Sequence, residues 1–177
     1  MSAGDTPGEN LTLRTLVGGP RGGRSVPGVR IREFTARDAA TVGAWRYAGP
    51  YAVYDVDGDA LVDELDCYRA VVDADDQLVG FYCTGAAARV PGLPVVDGVV
   101  DLGMGMHPDL VGRGRGPAFG AAVIEHVAAE NGSYTMRVVV QSWNERSHRL
   151  ARRLGFSDVG LHAVGDAEYR VLVGTSP

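Results

Sequence analysis

The sequence predicts a single domain of mixed helix and strand, an α+β (or α/β) fold on a mixed sheet of six to seven strands with about four helices. Strand-like segments dominate the first part of the chain, and a strand–helix–strand–helix order closes it, which is typical of helices packed on a mixed sheet. A length of 177 residues is enough for one domain with a substantial core. The predicted strands are residues 29–34, 67–73, 78–88, 95–107, 136–142, 156–162 and 168–173.

Residues 1–27 are predicted to form a flexible tail, because they are rich in glycine and proline and show little apolar periodicity. The domain is therefore expected to occupy residues 28–174. It begins with an alternating strand, after which Thr35 is a suitable cap for a helix that runs to about Tyr47. The other predicted helices are residues 59–65, 117–130 and 144–154.

Two strand-like segments, residues 67–73 and 78–88, flank an acidic turn and predict an antiparallel hairpin. Cys67 and Cys83 lie equally far from the centre of this turn, so they could face each other across the strands. No second cysteine or histidine stands near either of them at the spacing of metal ligands. We therefore expect buried free thiols and no metal site.

A glycine-rich loop follows the strand that Pro108 ends, and it leads directly into a helix. Backbone N–H groups at the start of a helix converge at its positive end, which is a geometry that binds phosphate. Glycines at every second position leave the main chain open to a diphosphate, and two arginines add positive charge. The predicted cradle consists of Val111, Gly112, Arg113, Gly114, Arg115, Gly116 and Pro117.

The spacing of these glycines excludes two common nucleotide-binding loops. A P-loop needs four residues between its glycines and then Gly-Lys-Ser/Thr, which is absent from this sequence. A dinucleotide loop needs a small residue three positions after its second glycine, where Pro117 and Phe119 occupy the two candidate places. Neither nucleotide loop fits.

Two separate motifs resemble those of the GNAT superfamily of N-acetyltransferases. Met-His-Pro at residues 106–108, followed by the loop at residues 111–116, is similar to the family's acyl-CoA loop after a bulged strand. Asn-Glu-Arg at residues 144–146 and Leu-Gly-Phe at residues 154–156 are similar to the family's closing helix and strand. The resemblance covers about residues 29–173.

This resemblance implies a mostly antiparallel sheet that splays open where an acyl-CoA binds. It also implies acetyl-CoA as the acyl-donor cosubstrate, without a metal. In such an arrangement pantetheine lies along the splayed strand, and a backbone N–H near Met106 polarises the thioester carbonyl. The residues implied to bind the coenzyme are Met104, Met106, Asn144 and the seven residues of the cradle.

Two positions depart from the family pattern. Val111 stands where the family has glutamine or arginine, which removes a polar side chain but leaves the backbone cradle intact. Ala151 stands where many members carry the tyrosine that protonates the departing thiolate, so the usual general acid is missing. His148 lies one helical turn before Ala151 and is the predicted substitute acid, with an exposed helix histidine as the alternative.

Asp101 is the predicted general base, because it is a carboxylate among apolar neighbours on the strand that would hold the thioester. A structural aspartate bonded to a neighbouring loop is the alternative. His107 is a further candidate for base or phosphate contact, against a structural role beside the loop. Four aromatic residues are predicted to line the pocket of an apolar or cationic amine, with a hydrophobic cluster as the alternative. They are Trp45, Tyr47, Tyr51 and Tyr54.

With the resemblance, the sequence predicts an acetyl-CoA dependent N-acetyltransferase acting on a primary amine of a small molecule or peptide. The alternatives are a catalytically weak or inactive acyl-CoA binding module, and an enzyme that acylates a larger carrier such as charged tRNA or a protein lysine. A net charge of −5 disfavours nucleic acid as a partner. No apolar run of membrane-spanning length and no signal peptide are found, so we expect a cytoplasmic protein, with a homodimer as a possible assembly.

Overall fold

The computed structural model describes residues 28–131 and 135–175, so the predicted tail at residues 1–27 lies outside the described residues. The described part contains seven strands and four α-helices, with short 3₁₀ turns between some of them. The strands are β1 (Arg30–Glu33), β2 (Tyr68–Val72), β3 (Leu78–Thr84), β4 (Val99–Met106), β5 (Thr135–Gln141), β6 (Ser157–Val164) and β7 (Ala167–Thr175). The α-helices are α1 (Ala36–Gly43), α2 (Gly58–Val62), α3 (Gly116–Asn131) and α4 (Glu145–Arg153).

The strands form one sheet in the order β1-β2-β3-β4-β5-β7-β6. Only β4 and β5 are parallel among these neighbours, and every other described pair is antiparallel. The chain crosses from β4 to β5 through α3, since a parallel pair needs a long crossover connection. The predicted fold class, a mixed and mostly antiparallel sheet with four helices, is confirmed.

β4 and β5 are paired only near their beginnings. Their pairing ends where Asp101 lies opposite Arg137, although β4 continues to Met106 and β5 to Gln141. At about 3.3 Å per residue, the unpaired part of β4 gives an open edge roughly 16 Å long. The sheet therefore splays along β4, as the resemblance implies.

The helices cover both faces of the sheet. Along β2, Val71 packs into the core that α3 and α4 share, whereas Ala70 and Val72 pack into the core beneath α1 and α2. The opening between β4 and β5 thus joins the two sides of the sheet. Within residues 28–131 and 135–175, no helix is both long and apolar enough to cross a bilayer.

The helix α1 begins with a complete capping box. The Thr35 hydroxyl accepts the Asp38 N–H at 3.3 Å, and the Asp38 carboxylate accepts the Thr35 N–H at 2.9 Å. This confirms the predicted cap, but the helix ends at Gly43 instead of continuing to Tyr47. At that point α1 is in backbone contact with α2, because a Cβ on Gly43 would lie 2.7 Å from the Gly58 Cα. The aromatic residues that follow leave the helix and run toward the open edge of β4.

Two strands are shorter than the sequence pattern indicates. β3 ends at Thr84 because Gly85 adopts a φ of 65°, and a 3₁₀ turn over Gly85–Ala88 follows. β4 begins at Val99 and not at residue 95, after a turn in which the Val99 N–H donates to the Val96 carbonyl. Apolar runs do not distinguish these turns from strand.

The two cysteines do not face each other. Cys67 is exposed in a 3₁₀ turn that precedes β2, and the residue opposite Cys83 is Tyr68. The prediction of a buried Cys67 is therefore wrong, whereas Cys83 is buried, and burial raises the pKa of its thiol to about 12. Among the described residues, no three His, Cys, Asp or Glu side chains are grouped so that they could hold a metal ion.

Candidate active site

The glycine loop lies between the end of β4 and the start of α3. A 3₁₀ turn over Pro108–Leu110 begins at His107, whose Nδ1 accepts the Asp109 N–H at 3.1 Å. The chain then passes through Gly112 at a φ of 79° and Gly114 at 77°, in a region that L side chains rarely adopt. Such a turn ahead of a 16-residue helix brings backbone N–H groups and the positive end of a helix dipole together.

Two cations flank this turn. Arg113 and Arg115 are exposed, and neither forms an ion pair with another described residue. Val111 and Pro117 are half-buried at the two ends of the loop, and Pro117 occupies the first turn of α3, where no N–H is needed. The predicted cradle is thus one continuous, positively charged turn.

Gly116 has a second role that the sequence analysis missed. A Cβ on Gly116 would lie 3.3 Å from Leu150 Cδ1, and one on Gly120 would lie 2.4 Å from Leu154 Cδ1. These two glycines, one helical turn apart, let α3 approach α4 closely. The spacing of four residues is the sequence signal for this contact.

The open edge of β4 presents the backbone of Met104 and Met106. The His107 N–H donates to the Val79 carbonyl of β3 at 3.0 Å. Successive residues of an antiparallel strand turn their backbone polar groups to opposite sides, so those of Met104 and Met106 point away from β3 and into the opening. There the Met106 carbonyl accepts a hydrogen bond from the Tyr47 hydroxyl at 2.8 Å.

Tyr47 is held at this edge by its own backbone as well. Its N–H donates to Asp55 Oδ1 at 2.9 Å, which ties the two ends of the segment after α1 together. Burial, with a smaller contribution from the Asp55 carboxylate, raises the pKa of Tyr47 to about 12. The hydroxyl is therefore protonated throughout the neutral range.

The opposite edge of the opening is formed by the start of α4. Asn144 is the N-cap of this helix, and its Nδ2 donates to the Tyr54 hydroxyl at 3.0 Å. The Tyr51 ring meets Trp143 edge-on at a centroid distance of 5.3 Å, and the Arg146 guanidinium lies 4.3 Å from the Tyr51 ring centre. Aromatic side chains from the first half of the chain thus reach both edges.

Residues 47–54 connect the two sides of the opening, and we call them the aromatic bridge. Three of the four predicted acceptor residues lie in it. Trp45, the fourth, is buried in the core beneath α1, where its ring lies 5.0 Å from the His107 ring. The hydrophobic-cluster alternative therefore describes Trp45, while the bridge tyrosines remain beside the opening.

His148 is buried, which corrects the alternative of an exposed helix histidine. Its Nε2 lies 3.0 Å from the Gln141 carbonyl, an acceptor that requires a proton on Nε2. Nδ1 is buried without a hydrogen-bond partner among the described residues. The acid role of His148 stays a prediction from the sequence. Asn144, His148 and Ala151 share one helix face, and this spacing is the signal that indicates burial.

Asp101 lies at the closed end of the β4–β5 pairing. Its Oδ1 accepts the Arg137 Nε–H at 2.6 Å, and its Oδ2 accepts the Arg89 Nε–H at 2.7 Å. Arg137 also donates to the Pro94 carbonyl at 2.8 Å, so the cluster fastens the loop before β4 to the sheet. Each carboxylate oxygen is engaged by a guanidinium group, which favours the structural alternative over the base.

Comparison with known proteins gives the same architecture. Among solved structures, the fold is similar to an acetyltransferase (GNAT family) from Bacillus anthracis, with a TM-score of 0.66 and 15% identity over 82% of this chain and 93% of that one. It is similar to AAC(6′)-Ib in complex with ribostamycin and coenzyme A, with a TM-score of 0.66 and 17% identity over 83% and 93%. A spermidine N-acetyltransferase SpeG chimera from Vibrio cholerae and hSSAT gives a TM-score of 0.62 and 12% identity over 84% and 95%. Identities this low show the fold alone.

Comparison of the sequence itself identifies the family. No curated protein matches it. The sequence model of the acetyltransferase (GNAT) family, however, matches residues 37–156, which include the aromatic bridge, the glycine loop and α4. Because this match covers more than half of the chain, and both edges of the opening lie within it, the chain belongs to the GNAT acetyltransferase family.

Proposed function

We propose that this protein transfers an acetyl group from acetyl-CoA to a primary amine of a small molecule or peptide. The observation that carries this proposal is the opening between β4 and β5, with a glycine cradle at one end and, along its edge, backbone groups of β4 that pair with no strand. A long, thin cosubstrate with a diphosphate and two amides matches both features. The family to which the chain belongs supports the choice of an acyl-CoA.

The residues fit acetyl-CoA part by part. The turn through Gly112 and Gly114 and the start of α3 suit the pyrophosphate, with Arg113 and Arg115 beside it. The open edge of β4 suits the pantetheine amides, since an extended chain can add to a strand whose polar groups are unpaired. Asn144 stands on the other side of the opening, but its buried amide already donates to Tyr54 and accepts the Ser147 N–H, so its contact with the coenzyme stays a prediction.

In the proposed reaction the chain acts chiefly through position and backbone charge. The Met106 N–H faces the opening and stabilises negative charge on the thioester oxygen while the amine attacks. The aromatic bridge closes one side of the opening and keeps bulk water from the reacting carbonyl. Since a cysteine thiol has a pKa of about 8.5, an alkyl thiolate such as that of coenzyme A is a tolerable leaving group even without a general acid.

An amine is the acceptor that the surroundings favour. Tyr51 and Tyr54 offer aromatic surface at the mouth of the opening, and Asp55, whose carboxylate accepts the Tyr47 N–H, follows Tyr54 in the chain. Because the Arg146 guanidinium already lies over the Tyr51 ring, the Tyr54 ring and the Asp55 carboxylate are the groups that would attract a cationic ammonium group. The structural neighbours named above include a spermidine N-acetyltransferase and an aminoglycoside acetyltransferase, which supports an amine of this kind.

A second candidate is an acyl-CoA binding module with little or no turnover. Two observations favour it: Ala151 is buried in the core in place of a tyrosine, and His148, the predicted substitute acid, is buried with its Nε2 bonded to the Gln141 carbonyl. In this case the cradle and the opening would bind the coenzyme without completing the transfer. The cytoplasmic location and the homodimer stay predictions from the sequence.

Calorimetry with acetyl-CoA, followed by a thiol-release assay over a panel of amines, separates the two candidates. The proposed enzyme binds acetyl-CoA and releases thiol faster with at least one polyamine, aminoglycoside or peptide amine than with buffer alone. Binding without amine-dependent release would establish the module. No binding of acetyl-CoA at all would contradict both.

A further inference from the structure

We propose that the Tyr47 hydroxyl is the hydrogen-bond donor that stabilises the departing thiolate of coenzyme A, taking over a task that no residue of α4 performs. This inference rests on the proposed acetyl transfer. It moves Tyr47 from the acceptor pocket, where the sequence places it, to the leaving group. It also assigns the stabilising group to the first half of the chain.

The position of the hydroxyl is the first argument. Tyr47 Oη lies 2.8 Å from the Met106 carbonyl oxygen, on the open edge of β4. The N–H and the carbonyl of one strand residue point to the same side, so the Met106 N–H is adjacent to the Tyr47 hydroxyl. If the Met106 N–H donates to the thioester oxygen, the sulfur lies nearby, because oxygen and sulfur are bonded to the same carbonyl carbon. The sulfur is then within reach of the Tyr47 hydroxyl.

The neighbouring groups do not offer an equivalent donor. Ala151 has only a methyl group, and the buried His148 ring has its Nε2 bonded to the Gln141 carbonyl. Tyr54 lies on the opposite edge of the opening, where its hydroxyl oxygen accepts the Asn144 Nδ2–H. Tyr47 is thus the hydroxyl that faces the strand on which the thioester would lie.

The acidity of the two groups decides what kind of donor Tyr47 is. Burial raises the pKa of Tyr47 to about 12, whereas a thiol titrates near 8.5. Passing the phenol proton to the thiolate is therefore unfavourable by a factor of about a thousand or more. Tyr47 keeps its proton and donates a hydrogen bond.

The bonds in this step balance without a further reactant. The amine nitrogen forms the C–N bond with its lone pair, and the C–S bond breaks with its electron pair moving to sulfur. The proton lost from nitrogen goes to water, and the thiolate, held by the Tyr47 O–H, later takes a proton from water. The products are the acetylated amine and the free thiol.

A hydroxyl hydrogen can make this change of partner. It rotates about the C–O bond, and a hydrogen bond to an ionised acceptor is stronger than one to a neutral carbonyl. As charge develops on sulfur, the Tyr47 hydrogen turns from the Met106 carbonyl to the thiolate. A hydrogen bond to the thiolate stabilises the charged form and therefore lowers the pKa of the thiol.

The test measures the pKa of the coenzyme A thiol bound to the full chain, which does not depend on turnover. Thiolate absorbance in the ultraviolet is titrated against pH, with the desulfo-coenzyme A complex as the blank. Tyr47→Phe should raise the pKa of the bound thiol by about one or more, with the dissociation constant for coenzyme A at neutral pH within about threefold of the wild type. Tyr68→Phe is the matched control, because burial also raises the pKa of Tyr68 to about 12 but this residue lies on β2.

Each outcome has a distinct meaning. An unchanged thiol pKa in Tyr47→Phe, or an equal rise in Tyr68→Phe, overturns the inference while leaving acetyl transfer intact. Failure of the wild type to bind coenzyme A would contradict the proposed function itself. If Tyr47→Phe does not fold, 3,5-difluorotyrosine introduced at position 47 keeps the shape and strengthens the donor. It should lower the pKa of the bound thiol, and no change would again count against Tyr47.

Discussion

Asp101 shows how a buried charge is used in this molecule. Its two oxygens hold the guanidinium groups of Arg137, opposite it on β5, and of Arg89, from the loop before β4. Removing one partner of a buried ion pair leaves the other charges uncompensated in a poorly solvated place. The cluster therefore contributes to folding at the closed end of the opening.

We expect Asp101→Asn to lower the free energy of unfolding by about 3 kcal/mol, because two buried or half-buried arginines lose their counter-charge. The rate of thiol release per folded molecule should stay within about threefold of the wild type, since the side chain is committed to the arginines. Urea unfolding and the release assay at low temperature measure the two effects. Asp158→Asn is the control, because its ion pair with Arg170 is at the surface and should matter little. Lost turnover with unchanged stability would instead establish Asp101 as the base.

Residue types at the site follow from the sequence better than residue partners do. The aromatic character of residues 47–54 indicates a pocket wall, but the Tyr47–Met106 hydrogen bond joins residues 59 positions apart. No local pattern specifies such a contact. The burial of His148 is an intermediate case. Helical periodicity places His148 on the buried face of α4, but the neighbouring arginines make the segment look solvent-exposed.

At the scale of elements, the glycine loop is the part that local sequence specifies best. Alternate glycines permit positive φ at two positions, and a proline in the first turn of α3 fixes where the helix starts. Both properties depend on backbone sterics within a few residues. The end of α1 shows the opposite case, since it depends on contact between Gly43 and Gly58 of a separate helix.

Gly112→Ala should weaken coenzyme A binding by about tenfold or more. An L side chain at a φ of 79° is strained, and its methyl group would stand where the diphosphate approaches. Gly98→Ala is the matched control, because Gly98 has a similar φ of 74° and lies at the opposite end of β4. Neither new methyl would meet an atom of the free protein within 4 Å, so both variants should lose a similar amount of stability, about 1 kcal/mol. Calorimetry measures the affinity of each variant for coenzyme A. Equal losses of affinity in Gly112→Ala and Gly98→Ala would show that the loop does not contact the coenzyme.

At the scale of the whole molecule, the class of fold is predictable because hydrophobic periodicity marks each strand and helix separately. The early end of the β4–β5 pairing is not predictable from this periodicity, since Val138 and Val140 continue β5 as an ordinary strand. Only the resemblance to a family implies the splay. The core that α3 and α4 share includes side chains of β4 and β5, whereas the core beneath α1 and α2 is built on β2 and β3.

This opening predicts an alternating pattern of amide hydrogen exchange along β4. In the free protein, the N–H groups of Gly103 and Gly105 point toward β3 and should exchange slowly, while those of Met104 and Met106 face the opening and should exchange much faster. Coenzyme A should slow the two methionine amides by about tenfold or more, because pantetheine occupies the missing strand position. Exchange followed residue by residue with NMR, with and without the coenzyme, measures this. If the methionine amides are already as protected as those of the glycines in the free protein, β4 and β5 are closed in solution and the proposed coenzyme path does not exist.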